Sequence, residues 1–194
     1  MTEAVVLRAV TDVTIVKGET SVGDRGWLTL PDGTVRHAVI HVIHDLPHLV
    51  VESVFRLDDG LWGTLAEGGF PAAAREVTRR NGHLWLVTDV SFDEPAALDE
   101  PAARNRPGHL VAKAAVNAVV NRWGDGPDTP AGVRTRLRAR GPGEAALADR
   151  LDDEAIRIAA AGVRRVYRRW RVLPPGGALR LTWPLGPEWL PEVT

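Results

Sequence analysis

Pro47 decides how the most chemically loaded stretch of this chain folds. Four histidines, His37, His41, His44 and His48, recur at i, i+4, i+7 and i+11, the spacing of one helix face. A helix through all four would place Pro47 in its interior, where the missing N–H and the ring clash cost about 3 kcal/mol. The residues ahead of it, Val35, Val39, Ile40, Val42 and Ile43, are β-branched and favour extended backbone. The expectation is therefore a strand over about 34–42 that gives way to a helix capped by Asp45. Pro47 then falls in the first turn, where its N–H would be an orphan anyway. That helix runs to about Leu57.

The flanking sequence supplies a sheet for this helix to pack on. Ala4–Val10 and Asp12–Lys17 are rich in Val and Ile, and Pro31-Asp-Gly33 turns one extended run into the next, which together read as an antiparallel meander. Asp58-Asp-Gly60 caps a short helix over Leu61–Glu67, which continues through Ala72–Arg80 and stops at Asn81-Gly82. His83–Val90 reads as a strand and His109–Trp123 as a helix. Glu144–Arg171 reads as one long helix, stopped by Pro174-Pro-Gly-Gly177. Ala178–Trp183 is a closing strand placed to pair with an early one. Two segments, about 93–107 and 124–143, read as flexible. The first repeats Asp-Glu-Pro-Ala-Ala, and the second holds Gly124-Asp-Gly-Pro127 and Gly141-Pro-Gly143 around alternating arginines. The fold expected is a single α+β domain over 1–194, an antiparallel β-meander sheet packed against several helices.

Composition narrows the chemistry. With 194 residues, 44% of them apolar, the chain can bury a core without staples, and with no cysteine it has neither disulfides nor thiolate ligands. Any metal must take imidazole, carboxylate, carbonyl or water ligands. No apolar run approaches the roughly 18 residues of a membrane span, and no basic leader precedes an apolar stretch, so a cytoplasmic location is expected. Only two lysines stand against twenty-two arginines, the codon bias of a high-GC bacterial genome. Charge is uneven: residues 1–100 carry 8 basic and 16 acidic side chains, residues 101–194 carry 16 and 9.

His44, Asp45, His48 and Glu52 concentrate the coordination chemistry. On a helix starting at Asp45, His48 and Glu52 lie one turn apart on one face, spaced to share a divalent ion, zinc above all. His44 precedes the helix as a third candidate ligand, and Asp45 either ligates or orients a ligand while capping. Three protein ligands would leave a position for a water whose pKa the metal lowers, which is hydrolase or lyase chemistry on a small-molecule substrate. The simpler account is an i, i+4 hydrogen-bonded pair beside a cap. No His-Glu-x-x-His motif, nucleophile elbow, phosphate loop or dinucleotide fingerprint is present. His83 and His109 are isolated in sequence, placed to complete a metal shell only through tertiary folding.

His44-Asp-x-x-His48, with Val50-Val-Glu52 and Gly60-Leu-Trp-Gly63, resembles small bacterial proteins of uncharacterised function. In these an N-terminal meander leads into a His-Asp helix, and a Pro-Gly turn precedes a last strand like Leu179-Arg-Leu-Thr-Trp-Pro184. That resemblance carries no activity with it. The same His-Asp-x-x-His is similar to the motif of the zinc-carrying family of ubiquinone biosynthesis, which implies zinc at His44, Asp45 and His48. The family's closing glutamate position falls here on Gly60, so only Glu52 or Glu67 would replace it.

The second constellation is basic. Arg134, Arg136, Arg138 and Arg140 alternate, and Arg164, Arg165, Arg168, Arg169 and Arg171 cluster near Tyr167 and Trp170, a mixture of cations and aromatics suited to phosphates and stacked bases. A helix that opens in acids and closes in arginines also complements its own macrodipole, and Tyr167 and Trp170 share a face with Val163 and Val166. On that account nucleic acid is not expected as a partner. Two functions remain: a metal-dependent enzyme at His44, His48 and Glu52, or an interaction protein with a structural His-Asp helix and an arginine-rich surface. Oligomeric state is not readable from these residues.

Overall fold

The structure is a computed structural model that describes residues 10–19, 25–33, 35–39, 42–67, 74–80, 83–88, 107–121 and 128–190. Of these, 25, 36–39, 42–44, 74–80, 83–88 and 107 are described by their backbone only. The early extended run over 4–9, the 93–106 loop and His41 lie outside the described residues.

Alternating apolar positions build the sheet. Strands β1 (Thr11–Val16), β2 (Arg25–Thr29) and β3 (Val35–Val39) form the expected antiparallel meander, and β6 (Ala178–Trp183) returns from the far end of the chain to pair antiparallel with β1. Register aligns the buried positions: Val13 faces Leu28 on one side and Leu181 on the other, and Ile15 faces Leu179. One face is thus apolar, while Asp12 and Arg180 on the opposite face are exposed.

The sheet extends further than the meander. β4 (Ala74–Arg80) and β5 (His83–Thr88) complete the order β4-β5-β3-β2-β1-β6, with β3 and β5 parallel. Where a helix was expected over 72–80, residues 74–80 therefore form a strand. Arg80 pairs with His83 across two residues whose sequence is Asn-Gly. Asn-Gly is the strongest short hairpin signal, because both residues accept positive φ, and it outweighs its reading as a helix stop. The parallel β3/β5 pair needs a long crossover, and helices α1 (Val42–Phe55) and α2 (Leu61–Ala66) lie within it.

Helix α1 starts three residues earlier than the cap reading placed it, so Asp45 sits in the first turn and Pro47 inside the helix. Pro47 thereby forgoes one bond near the N-terminus, a loss offset by burial: every residue from Asp45 to Glu52 is buried. A helix covered all round is a central one. Around it pack α3 (Pro107–Val119) and α6 (Asp153–Val172), whose Ala115, Ile156, Val163 and Val166 join Leu46, Leu49, Val50 and Phe55 in the core cluster. Arg56 adopts φ 55° beyond α1, and Leu57 N–H donates to the Glu52 carbonyl at 2.9 Å, closing the helix end.

The expected long helix over 144–171 is two. α5 (Pro142–Arg150) ends at an extended Leu151, and Asp152 starts α6 by accepting from Ala155 N–H at 2.7 Å. An aspartate cap divides the run without glycine or proline. The segment 124–143, read as flexible, contains α4 (Pro130–Arg138), and Pro142 already belongs to α5. Thr129 caps α4 by accepting from Gly132 N–H, with Pro130 at its first position, the usual placing of proline in a helix.

The alternating arginines of α4 are ties between helices. Arg134 pairs with Asp153, Arg138 with Asp149 at 2.7 Å, and Arg136, only 4% exposed, donates through Nε and Nη2 to the Ala118 carbonyl at the end of α3. Lys17, just past β1, closes the C-terminus of α6 by donating to the carbonyls of Trp170, Arg171 and Leu173.

Candidate functional site

Because α1 is central, its polar residues are carried into the core with its apolar ones. His48 is 1% exposed, Glu52 0% and Asp45 1%. A buried ionisable group needs partners within hydrogen-bond reach, and the sequence spacing supplies the first: His48 Nδ1 lies 2.7 Å from Glu52 Oε1 across one helical turn.

The other partners come from α2. Gly60 precedes that helix without a side chain to cap it, and its first two N–H groups, those of Leu61 and Trp62, donate to Oε1 and Oε2 of Glu52 at 2.9 Å each. The carboxylate of α1 is thus the N-terminal cap of α2, nine and ten residues further along the chain. Gly60 is what admits it. A Cβ there would stand 2.5 and 2.7 Å from the two carboxylate oxygens. Trp62, fully buried, completes the clamp by donating Nε1–H to the Asp45 carbonyl at 2.9 Å.

Burial pushes the Glu52 carboxyl up to about 8, against the N–H groups of Trp62, Leu61 and Gly63 and the charge of His109, which hold it down. At neutral pH the pair accordingly keeps a proton between Oε1 and Nδ1. His109, isolated in sequence on the first turn of α3, is brought by the fold close enough to bear on Glu52.

Of the four candidate ligands, then, His48 and Glu52 meet side by side and Asp45 is buried one turn before His48. The His44 backbone is in α1, and its side chain lies outside the described residues. Among the described residues no group of three or more histidine, aspartate or glutamate side chains is arranged to hold a metal ion. Both oxygens of Glu52 are already engaged, Oε1 by Leu61 N–H and the His48 ring and Oε2 by Trp62 N–H. Those contacts hold the carboxyl in place and leave it less open to a cation. Sequence reasoning missed Gly60, Leu61 and Trp62 as members of this cluster. Its one available signal was a buried-helix glutamate followed by a short helix with no capping side chain.

A cavity of about 220 Å³ opens beside α2, lined by Trp183, Pro31, Pro184, Gly63, Asp58 and Glu67 among others; neither His48 nor Glu52 lines it. Thr11 also borders it, with its hydroxyl buried and, among the described residues, without a hydrogen-bond partner. No helix among the described residues is long and apolar enough to cross a membrane.

The basic surface lies elsewhere. Arg164, Arg168, Arg169 and Arg171 are exposed on the C-terminal half of α6 and Arg165 is half-buried, while Trp170 is in the core. Among the described residues none of these five arginines pairs with a carboxylate, whereas Arg134, Arg138 and Arg157 each do. Arg169 instead lies over the ring of Trp189, 6.0 Å from its centroid.

Compared with protein-family models, with curated protein sequences and with solved structures, the chain gives no match.

Proposed function

We propose that this protein acts by binding, with α6 presenting its arginine face to an anionic partner and the His48–Glu52 pair serving to lock α1 to α2. The observation that carries this reading is the five arginines within residues 164–171, none of them neutralised by a described carboxylate. Like charges gathered on one face repel one another, and a partner of opposite sign relieves that cost. A chain of net charge −1 should avoid polyanions unless the charge is locally concentrated. The expected result is retention on heparin resin near neutral pH, released by moderate salt. Reversal of Arg164, Arg168 and Arg171 to glutamate should abolish retention while the melting temperature stays within a few degrees. Passage of the wild type through the resin unretained would sink the reading.

A second reading keeps the metal-dependent enzyme, and the His48–Glu52 hydrogen bond favours it, since metal centres use a carboxylate in this way to orient an imidazole. Glu52 would then orient His48 and not ligate, leaving His44 and Asp45 as the further candidates for zinc. Titration of the folded wild type with zinc should, on this reading, show about one equivalent bound and a raised melting temperature. Neither effect, together with metal-free protein on elemental analysis, would remove it.

A further inference from the structure

We infer that the anionic partner of α6 is the phosphodiester backbone of a nucleic acid; this rests on the binding reading above and names the partner's chemistry. At 3.6 residues per turn, Arg164, Arg168 and Arg171 fall within about 60° of one another around the helix axis and span about 10 Å along it. They make a narrow ridge of cations on the solvent-facing side of α6. Arg165 and Arg169 form a second row beside it, and Arg169 lies over Trp189, a half-buried ring at the edge of the same surface.

Three kinds of polyanion would answer a basic surface, and the apolar residues separate them. A helix that lies in an anionic lipid surface needs an apolar face to insert. The apolar face of α6, with Ile156, Ala159, Val163, Val166 and Trp170, is buried in the core, and Val172 is its one large hydrophobe among the exposed described residues. An acidic protein partner is held around a desolvated apolar or aromatic centre from which charge is depleted, and here the centre of the surface is charge itself. A regular line of phosphates asks for neither. It needs guanidinium groups in a row, whose planar forks match phosphate oxygens, with an aromatic at the margin on which a base can stack.

The sequence attributed these arginines to the macrodipole of one long helix. In the fold α6 by itself opens with Asp153 and Glu154 and closes with Arg169 and Arg171, so that account covers those two arginines and leaves Arg164, Arg165 and Arg168, which lie before the last turn. The acidic residues Asp149 and Asp153 are engaged by Arg138, Arg134 and Arg157, and the C-terminus of α6 is already served by Lys17.

The test is fluorescence anisotropy of a short labelled oligonucleotide, single-stranded and duplex, with the full chain. Salt would run from about 50 to about 200 mM. Binding should weaken along a straight log–log line of slope roughly −2 to −3, as expected for three phosphate contacts. The combined Arg164→Ala, Arg168→Ala, Arg171→Ala variant should bind at least about tenfold more weakly at the low-salt end with a flatter slope. Arg138→Ala, which removes an exposed but paired arginine, should bind as wild type. Circular dichroism of each variant checks that α6 is kept. Heparin retention without oligonucleotide binding would overturn the nucleic-acid assignment and leave the binding reading standing. Oligonucleotide binding indifferent to the triple variant would overturn the assignment of the surface. Loss of both heparin and oligonucleotide binding in the wild type would overturn the two together.

Discussion

Glu52→Ala is expected to cost about 4 kcal/mol near pH 5, because it strips the cap from α2, leaves two buried N–H groups without their acceptor and the buried His48 ring without its partner, and opens a cavity beside them. The same substitution should cost less as pH rises. The folded carboxyl sits at about 8 against an ordinary value of 4.5, so between those limits the folded state holds a proton that the unfolded chain has released. Wild-type stability is then full below the ordinary value and is lost as pH rises toward 8, by up to about 1.4 kcal/mol per unit. Glu52→Gln cannot ionise and should flatten that slope. Urea unfolding of the three proteins across this range is the measurement. A wild-type stability that holds level from pH 5 to 8, in parallel with the glutamine variant, would show that the carboxylate is ionised in the fold and defeat the account of its burial.

Gly63→Ala should be nearly as damaging, against the direction helix propensity gives. In an exposed helix interior the change would stabilise by roughly 1 kcal/mol. Gly63 is buried in the middle of α2, and a Cβ there would overlap the backbone oxygen of Asp58 and stand 2.9 Å from its Cα. Backbone cannot rotate aside as a side chain can, so α2 must lift from the loop that feeds it. That would pull Leu61 and Trp62 off the Glu52 carboxylate. A loss of about 3 kcal/mol follows, which for a chain of this size lowers the melting temperature by roughly 6–12 °C. Calorimetry decides it: an unchanged or raised melting temperature would mean that the 58–60 turn yields freely and that the clamp is not rigid.

The two effects share a cause that the sequence shows only in part. The i, i+4 spacing of His48 and Glu52 was enough to pair them, since helical geometry alone sets that distance. It was not enough to say what the pair is for. Glu52 meets Leu61 and Trp62 because a turn closed by Leu57 and a glycine at 60 fold α2 back onto α1, and nothing local to either helix encodes the contact. The adjacent Asp58-Asp59 looked like the cap because aspartate usually is one, yet tertiary placement gave the task to a glutamate in the preceding helix.

What the sequence by itself determined is the local grammar. Val and Ile alternation in 11–16, the Pro-Asp-Gly turn, and the apolar run of 178–183 stopped by proline specify strands. The Ala- and Val-rich run after Pro107 specifies a helix, and the two kinds of element together give the α+β class. Three further local signals belong here, each realised in the fold: Asn81-Gly82 lies between the paired Arg80 and His83, Thr129-Pro130 starts α4, and Asp152 divides α5 from α6. Only the tertiary structure decided which of these elements touch. It made α1 a central helix and so buried His48 and Glu52. It tied down the arginines of α4 with carbonyls and carboxylates, and left those of α6 facing water. The reason is physical: backbone preference acts over a few residues, whereas burial and charge pairing depend on segments far apart in sequence that meet only once the core has formed.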